Sequence, residues 1–148
     1  MRRAHTVGFL RIALLCVGFG LSHGQDLSQI ASIAAKSSVV MEDLGALLPS
    51  LSLSAPDADA YLFRLSQALS TYDPATPLTK GKASRVACAA LGLRSSALYL
   101  IFPTERYAFR ALVMEGVFKS ASSPGEAMGG MELLDFINSL GTLAERSL

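Results

Sequence analysis

An all-α fold, a compact bundle of five or six short helices after a cleaved N-terminal signal peptide, is the architecture this 148-residue sequence predicts. Three observations carry that expectation. Apolar residues recur at helical spacing along most of the chain beyond residue 25, and recognisable start and stop residues bracket those segments. Strand signals are poor: there is no Asn-Gly hairpin, and alternation never persists.

The first residues read as an export signal. Arg2 and Arg3, with Arg11 further in, precede an apolar centre from about Ile12 to Leu21. Ser22 and Gly24 then supply the small residues at minus three and minus one of a cut before Gln25. The apolar part is too short and too glycine-rich for a membrane span, and an uncleaved anchor is the alternative. A lipidated Cys16 is disfavoured, because Leu15 precedes it where a small residue is needed. The expected domains are therefore 1–24, signal peptide, and 25–148, a single helical domain. That domain would be exported to the periplasm or outer envelope, with no transmembrane span after signal cleavage.

Removing the leader changes the chemistry available. His5 and His23 leave with it, and Cys88 becomes the lone cysteine, so no intramolecular disulfide forms. Ten basic residues then face twelve acidic ones. A chain of this length buries one core without staples.

Each helix has a local reason. Leu27, Ile30, Ile33 and Ala34 recur at helical spacing, and Val39-Val40-Met41 is read as continuing that helix, with a short extended piece as the alternative. Ser50–Pro56 is a serine-rich linker. Pro56, Asp57 and Asp59 open the next helix, whose stripe is Ala58, Tyr61, Leu62, Leu65, Ala68, Leu69 and Tyr72. Thr79 caps a helix with inner residues Ala83, Val86, Ala87, Ala90 and Leu91, ending at Gly92. Pro103-Thr104-Glu105 starts one that is apolar nearly all round, from Tyr107 to Met114, and so is placed centrally. Leu133, Leu134, Ile137 and Leu140 make the last stripe.

TPLTKGKASRVACAALGL, RYAFRALVMEGVF and SSPGEAMGGMELLDFINSLG together resemble S-layer homology (SLH) modules of bacterial envelope proteins, over residues 76–141. The Arg106-Tyr107-Ala108-x-Arg110-x-Leu112-Val113 segment also resembles a recurring stretch of small exported spirochaetal proteins. Thr79 stands at the family's helix-capping threonine and Lys80 at its arginine, whereas Lys82 replaces the glutamate that would close a capping box. A second copy has Gly129-Gly130 in the turn and Glu132 nearby. The resemblance implies a helical fold, an envelope location and, as one option, binding of anionic wall polymers.

Chemistry is mostly excluded, and no catalytic residue is assigned. Without histidine there is no Ser-His-Asp or Cys-His system and no ordinary zinc site, so neither a metal nor a cofactor is expected. Cys88 in an alanine-rich stripe reads as core, Thr79 with Lys82 as a cap instead of a nucleophilic dyad, and Asp57 and Asp59 as first-turn charges. Glu42-Asp43 reads as a solvated face, and the chain has no tryptophan platform for a glycan. Residues 80–119 carry the basic excess, and Lys80, Lys82, Arg85, Arg106 and Arg110 are the candidate binding residues. The plainer reading makes them the solvated faces of two helices. Tyr99, Phe102 and Phe118 read as core, with a docking patch as the alternative. The expected function is a non-enzymatic protein-interaction module of the envelope, its partner an envelope protein and not nucleic acid. The alternatives are an SLH-like module binding an anionic cell-wall polymer through residues 80–119, and a weak carboxylate-dependent glycan hydrolase.

Overall fold

In the computed structural model, which describes residues 27–54, 57–93 and 97–146, the regular structure is helical, and no strand occurs among the described residues. The all-α expectation therefore holds, while the expected leader at 1–24 and the expected cut before Gln25 lie outside the described residues. The chain divides into two compact units, Met1–Ile33 and Ala34–Leu148. The described part of the first, residues 27–33, is helical.

The second unit contains α1 (Met41–Leu47), a 3-10 helix (Leu48–Ser54), α2 (Ala58–Leu69), α3 (Lys80–Leu91), α4 (Ala97–Ile101), α5 (Glu105–Met114) and α6 (Gly130–Arg146). Three helix starts meet at its centre. Val39 N–H donates to the Met128 carbonyl at 3.1 Å, Met128 N–H to Leu78 at 3.1 Å, and Leu78 N–H to Val39 at 3.0 Å. This is a closed ring of three backbone hydrogen bonds, and all three side chains are fully buried.

Each ring residue directly precedes a helix cap: Val40, Thr79 or Gly129. Five positions after each one stands an apolar residue, Leu44, Ala83 or Leu133, which is also fully buried. That is the hydrophobic-staple spacing, used three times. The neighbouring loop then satisfies the first-turn N–H groups that a helix leaves unpaired. Met41 N–H donates to Thr76 O at 2.9 Å and Glu42 N–H to Pro74 O at 2.9 Å. In the same relative places Lys80 N–H donates to Glu126 O at 3.0 Å and Gly81 N–H to Pro124 O at 2.8 Å. Gly130 N–H closes the circuit on Lys36 O at 2.8 Å. Matching isolated bridges, Val40 to Pro77 and Thr79 to Ala127, show that two of the three junctions repeat one geometry.

Several sequence expectations are corrected by this arrangement. Val39-Val40 is not helical: Val40 has φ −114° and ψ 172°, because Val39 uses its N–H and C=O in the ring. The serine-rich stretch is a 3-10 helix over Leu48–Ser54. Its eclipsed i, i+3 spacing puts Leu48 and Leu51 on one buried side, and Pro49 lacks the N–H an α-helix would need there. Leu62 is exposed, while Tyr61 and Leu65 carry the inner face of α2. The central helix is α3, which packs against both α2 and α5. By contrast α5 buries Ala108, Phe109, Ala111 and Leu112 and exposes Arg106, Arg110 and Met114. In α6 Phe136 is buried, between Leu133 and Leu140, while Leu134 and Ile137 are half-buried. Phe118 stacks on Phe136 at 5.1 Å and meets Phe109 at 5.3 Å.

Candidate functional site

Two of the three junctions are charged, and the charges are matched within each. Lys80 is only 4% exposed; its Nζ lies 2.8 Å from Glu132 Oε1, 2.9 Å from Glu126 Oε2 and 3.3 Å from Ser122 Oγ. Burial pulls the lysine pKa down, but hydrogen bonds and attraction from Glu132 and Glu126 outweigh it, and the pKa ends above its ordinary value. Glu126 is held low, first by Lys80 and then by the Ser123 N–H.

The equivalent acid in the junction between the third and first helix starts is Asp43. Its Oδ1 takes Lys36 Nζ at 2.6 Å, and its Oδ2 accepts the Val40 N–H at 3.0 Å, half of a capping box. The position matching Lys80 there is Gly130, so Lys36 supplies the cation from another place on the loop. In the remaining junction the acid position is Lys82 and the cation position is Met41, which is buried. Acid and base are lost together, as the cost of an unpaired buried charge requires.

The five basic residues singled out from sequence therefore separate into three environments. Lys80 belongs to the interior and is not part of an exposed basic surface. Lys82 and Arg85 lie on another side of α3. Lys82 Nζ donates to Pro77 O at 3.0 Å, and Arg85 donates to Tyr72 Oη at 3.3 Å with its guanidinium 5.8 Å from the ring centre. Tyr72 Oη in turn donates to Glu105 Oε1 at 3.0 Å, and its pKa is raised, first by burial and then by Glu105. Arg106 and Arg110 remain on the exposed face of α5, with no ion pair or hydrogen bond to their side chains among the described residues.

The other candidate groups have structural occupations. Asp57 caps α2 by accepting the Ala60 N–H at 3.0 Å. Thr79 Oγ1 accepts the Lys82 N–H at 3.4 Å, and the Lys82 ammonium turns to Pro77. Cys88 is buried with its thiol 3.8 Å from Ala108 O, and burial followed by Glu115 pushes its pKa up to about 12. Tyr99 is buried, whereas Phe102 is 54% exposed. No group of three or more His, Cys, Asp or Glu side chains converges on a common point among the described residues. Nor is any helix among them long and apolar enough to cross a membrane. A shallow depression of about 170 Å³ between Glu115, Asn138, Thr142 and Arg146 involves none of the residues expected from sequence.

Sequence reading found the helix starts at Thr79 and Gly129 and missed the one at Val40. Valine is not among the usual capping residue types, although Val40 holds the cap position, and Met41 is not basic, so the usual letters are absent. The signal that was available is the staple spacing, Val39 to Leu44, with Asp43 at the third helical position.

No family model, curated protein or solved structure shows a significant match to this chain.

Proposed function

We propose that this is an exported, non-enzymatic envelope protein of the periplasm or outer envelope, and that its helical unit, Ala34–Leu148, holds another envelope protein. The observation that carries the reading is the closed ring of Val39, Leu78 and Met128, which ties three helix starts into one buried junction. Binding is favoured over catalysis by the occupations of the reactive groups: Cys88 is a buried thiol, Asp57 is a cap, and Thr79 with Lys82 closes a helix start.

A protein partner is favoured over a wall polymer at the junctions. The helix position that the family gives to arginine holds Met41, Gly130 and a Lys80 already neutralised by two carboxylates. An anionic polymer would gain little there. The polymer reading keeps one specific support, the unpaired Arg106 and Arg110, four apart on one face and able to grip a carboxylate or phosphate.

Cross-linking in intact cells tests the reading: a discrete adduct with an envelope protein is expected. Retention on purified wall polymer that is lost in Arg106→Glu/Arg110→Glu would replace it with the polymer reading. Glycan turnover abolished by Asp57→Asn would replace it with a hydrolase.

A further inference from the structure

We propose that the edge formed by α4 and the outer face of α5 seats on the surface of an anionic lipid bilayer. This goes beyond the function above and does not depend on it.

Four of the exposed large apolar side chains fall within one short stretch: Leu100 at 57%, Ile101 at 66%, Phe102 at 54% and Met114 at 77% exposure. The first three are consecutive, at the end of a five-residue helix and in the turn that follows it. Consecutive side chains that are all more than half exposed stand out as a tip; they do not line a groove. The tip is tied to α5, because the Phe102 ring lies 6.1 Å from Tyr107. Helical spacing then sets the half-buried Tyr107 beside Arg106, Arg110 and Met114, the three exposed residues on the outer face of α5.

The charge on this edge is also open to solvent. Several other cations are held, Lys36 by Asp43, Lys80 by Glu126 and Glu132, Arg85 by Tyr72, and Arg64 by the Ala90 carbonyl, while among the described residues the exposed Lys119 is not. Arg106 and Arg110 have no such partner among the described residues, and the adjacent acid, Glu105, accepts from Tyr72. An apolar tip flanked by free guanidiniums is the composition that enters the acyl boundary while its charges meet acidic head groups. A second copy of the chain fits less well. A two-fold contact on this edge would set the arginine pair against its own image.

The chain has no tryptophan, so Phe102→Trp installs a unique fluorescent reporter on the edge, and Phe63→Trp on α2, at a side chain 63% exposed, installs a control. The probes are vesicles of phosphatidylcholine alone or mixed equally with phosphatidylglycerol, with and without brominated acyl chains. Because the reporter is local, the apolar residues 12–21 of the same chain do not generate its signal. The expected result is a blue shift and bromine quenching for Phe102→Trp with phosphatidylglycerol vesicles only, weakened roughly tenfold or more by adding Arg106→Glu/Arg110→Glu. The Phe63→Trp indole should stay unquenched, and circular dichroism should show all variants equally helical. Several results would overturn the proposal: no shift, an equal response to neutral vesicles, equal quenching at position 63, or indifference to the arginine substitutions. A lipid-free shift that grows with protein concentration would assign the edge to a second copy instead. A response to soluble polyglutamate without one to vesicles would assign it to an acidic polypeptide.

Discussion

Lys80 Nζ and Glu132 Oε1 lie 2.8 Å apart, joining the first residue of α3 to the first turn of α6. The pair is asymmetric: the lysine side chain is 4% exposed and the glutamate 41%. Removing either partner therefore leaves a very different residue behind.

Lys80→Met should be nearly neutral, within about 1 kcal/mol, because Glu126 and Glu132 are solvated enough to stand alone and methionine already fills the matching place at Met41. Glu126→Gln/Glu132→Gln strands a buried ammonium. Its drop in urea midpoint should be roughly twice as large or more. Equal drops for the two variants would mean that the junction is not the low-dielectric site described.

Stability should fall in acid. Glu126 has a pKa held below its ordinary 4.5, so its contribution is complete above that value and disappears as pH falls through the lowered one. Lys80, with its pKa raised above 10.5, contributes fully below 10.5 and loses its contribution only as pH climbs past the raised value. Urea midpoints measured across pH should thus show an acid limb below about 4.5 that the Glu126→Gln/Glu132→Gln variant reduces.

Gly81→Ala should destabilise by about 1–3 kcal/mol. A Cβ at Gly81 would stand 2.9 Å from Pro124 O and 3.2 Å from Glu105 Cβ, and Pro124 O is the acceptor for the Gly81 N–H. Thermal melts of Gly81→Ala beside Gly125→Ala, where an added Cβ meets nothing within 4 Å, provide the comparison.

The three ring amides should exchange together. Val39, Leu78 and Met128 each donate to the next member and are buried, so opening one frees the other two. Hydrogen exchange should give these amides one common protection, near that for global unfolding. Leu78→Ala should lower all three and cost about 2–5 kcal/mol.

Much of the fold was legible because local chemistry and tertiary structure agree. Asp57, Thr79 and Gly92 do what their types predict: two side-chain caps and a left-handed stop at φ 64°. The errors arose where tertiary contacts decide. Val39-Val40 looks like a helix continuing, yet its backbone groups are claimed by residues far along the chain. The α5 helix looked central because its sequence is rich in apolar letters, but Arg106, Arg110 and Met114 share one face, and that face decides its position. The candidate site was legible as a list of cations and not as a geometry. Sequence could not show that Lys80 points inward to acids on α6 and the preceding loop, while Arg106 and Arg110 remain free.

The ring also sets the order in which the unit can become native. Its corners come from Val39, Leu78 and Met128, so a nascent chain that has reached only the second corner has nothing to complete the circle. Until the third arrives, the first-turn amides of Lys80 and Gly81 lack the carbonyls of Glu126 and Pro124. The ring therefore cannot close until residue 128 has been made.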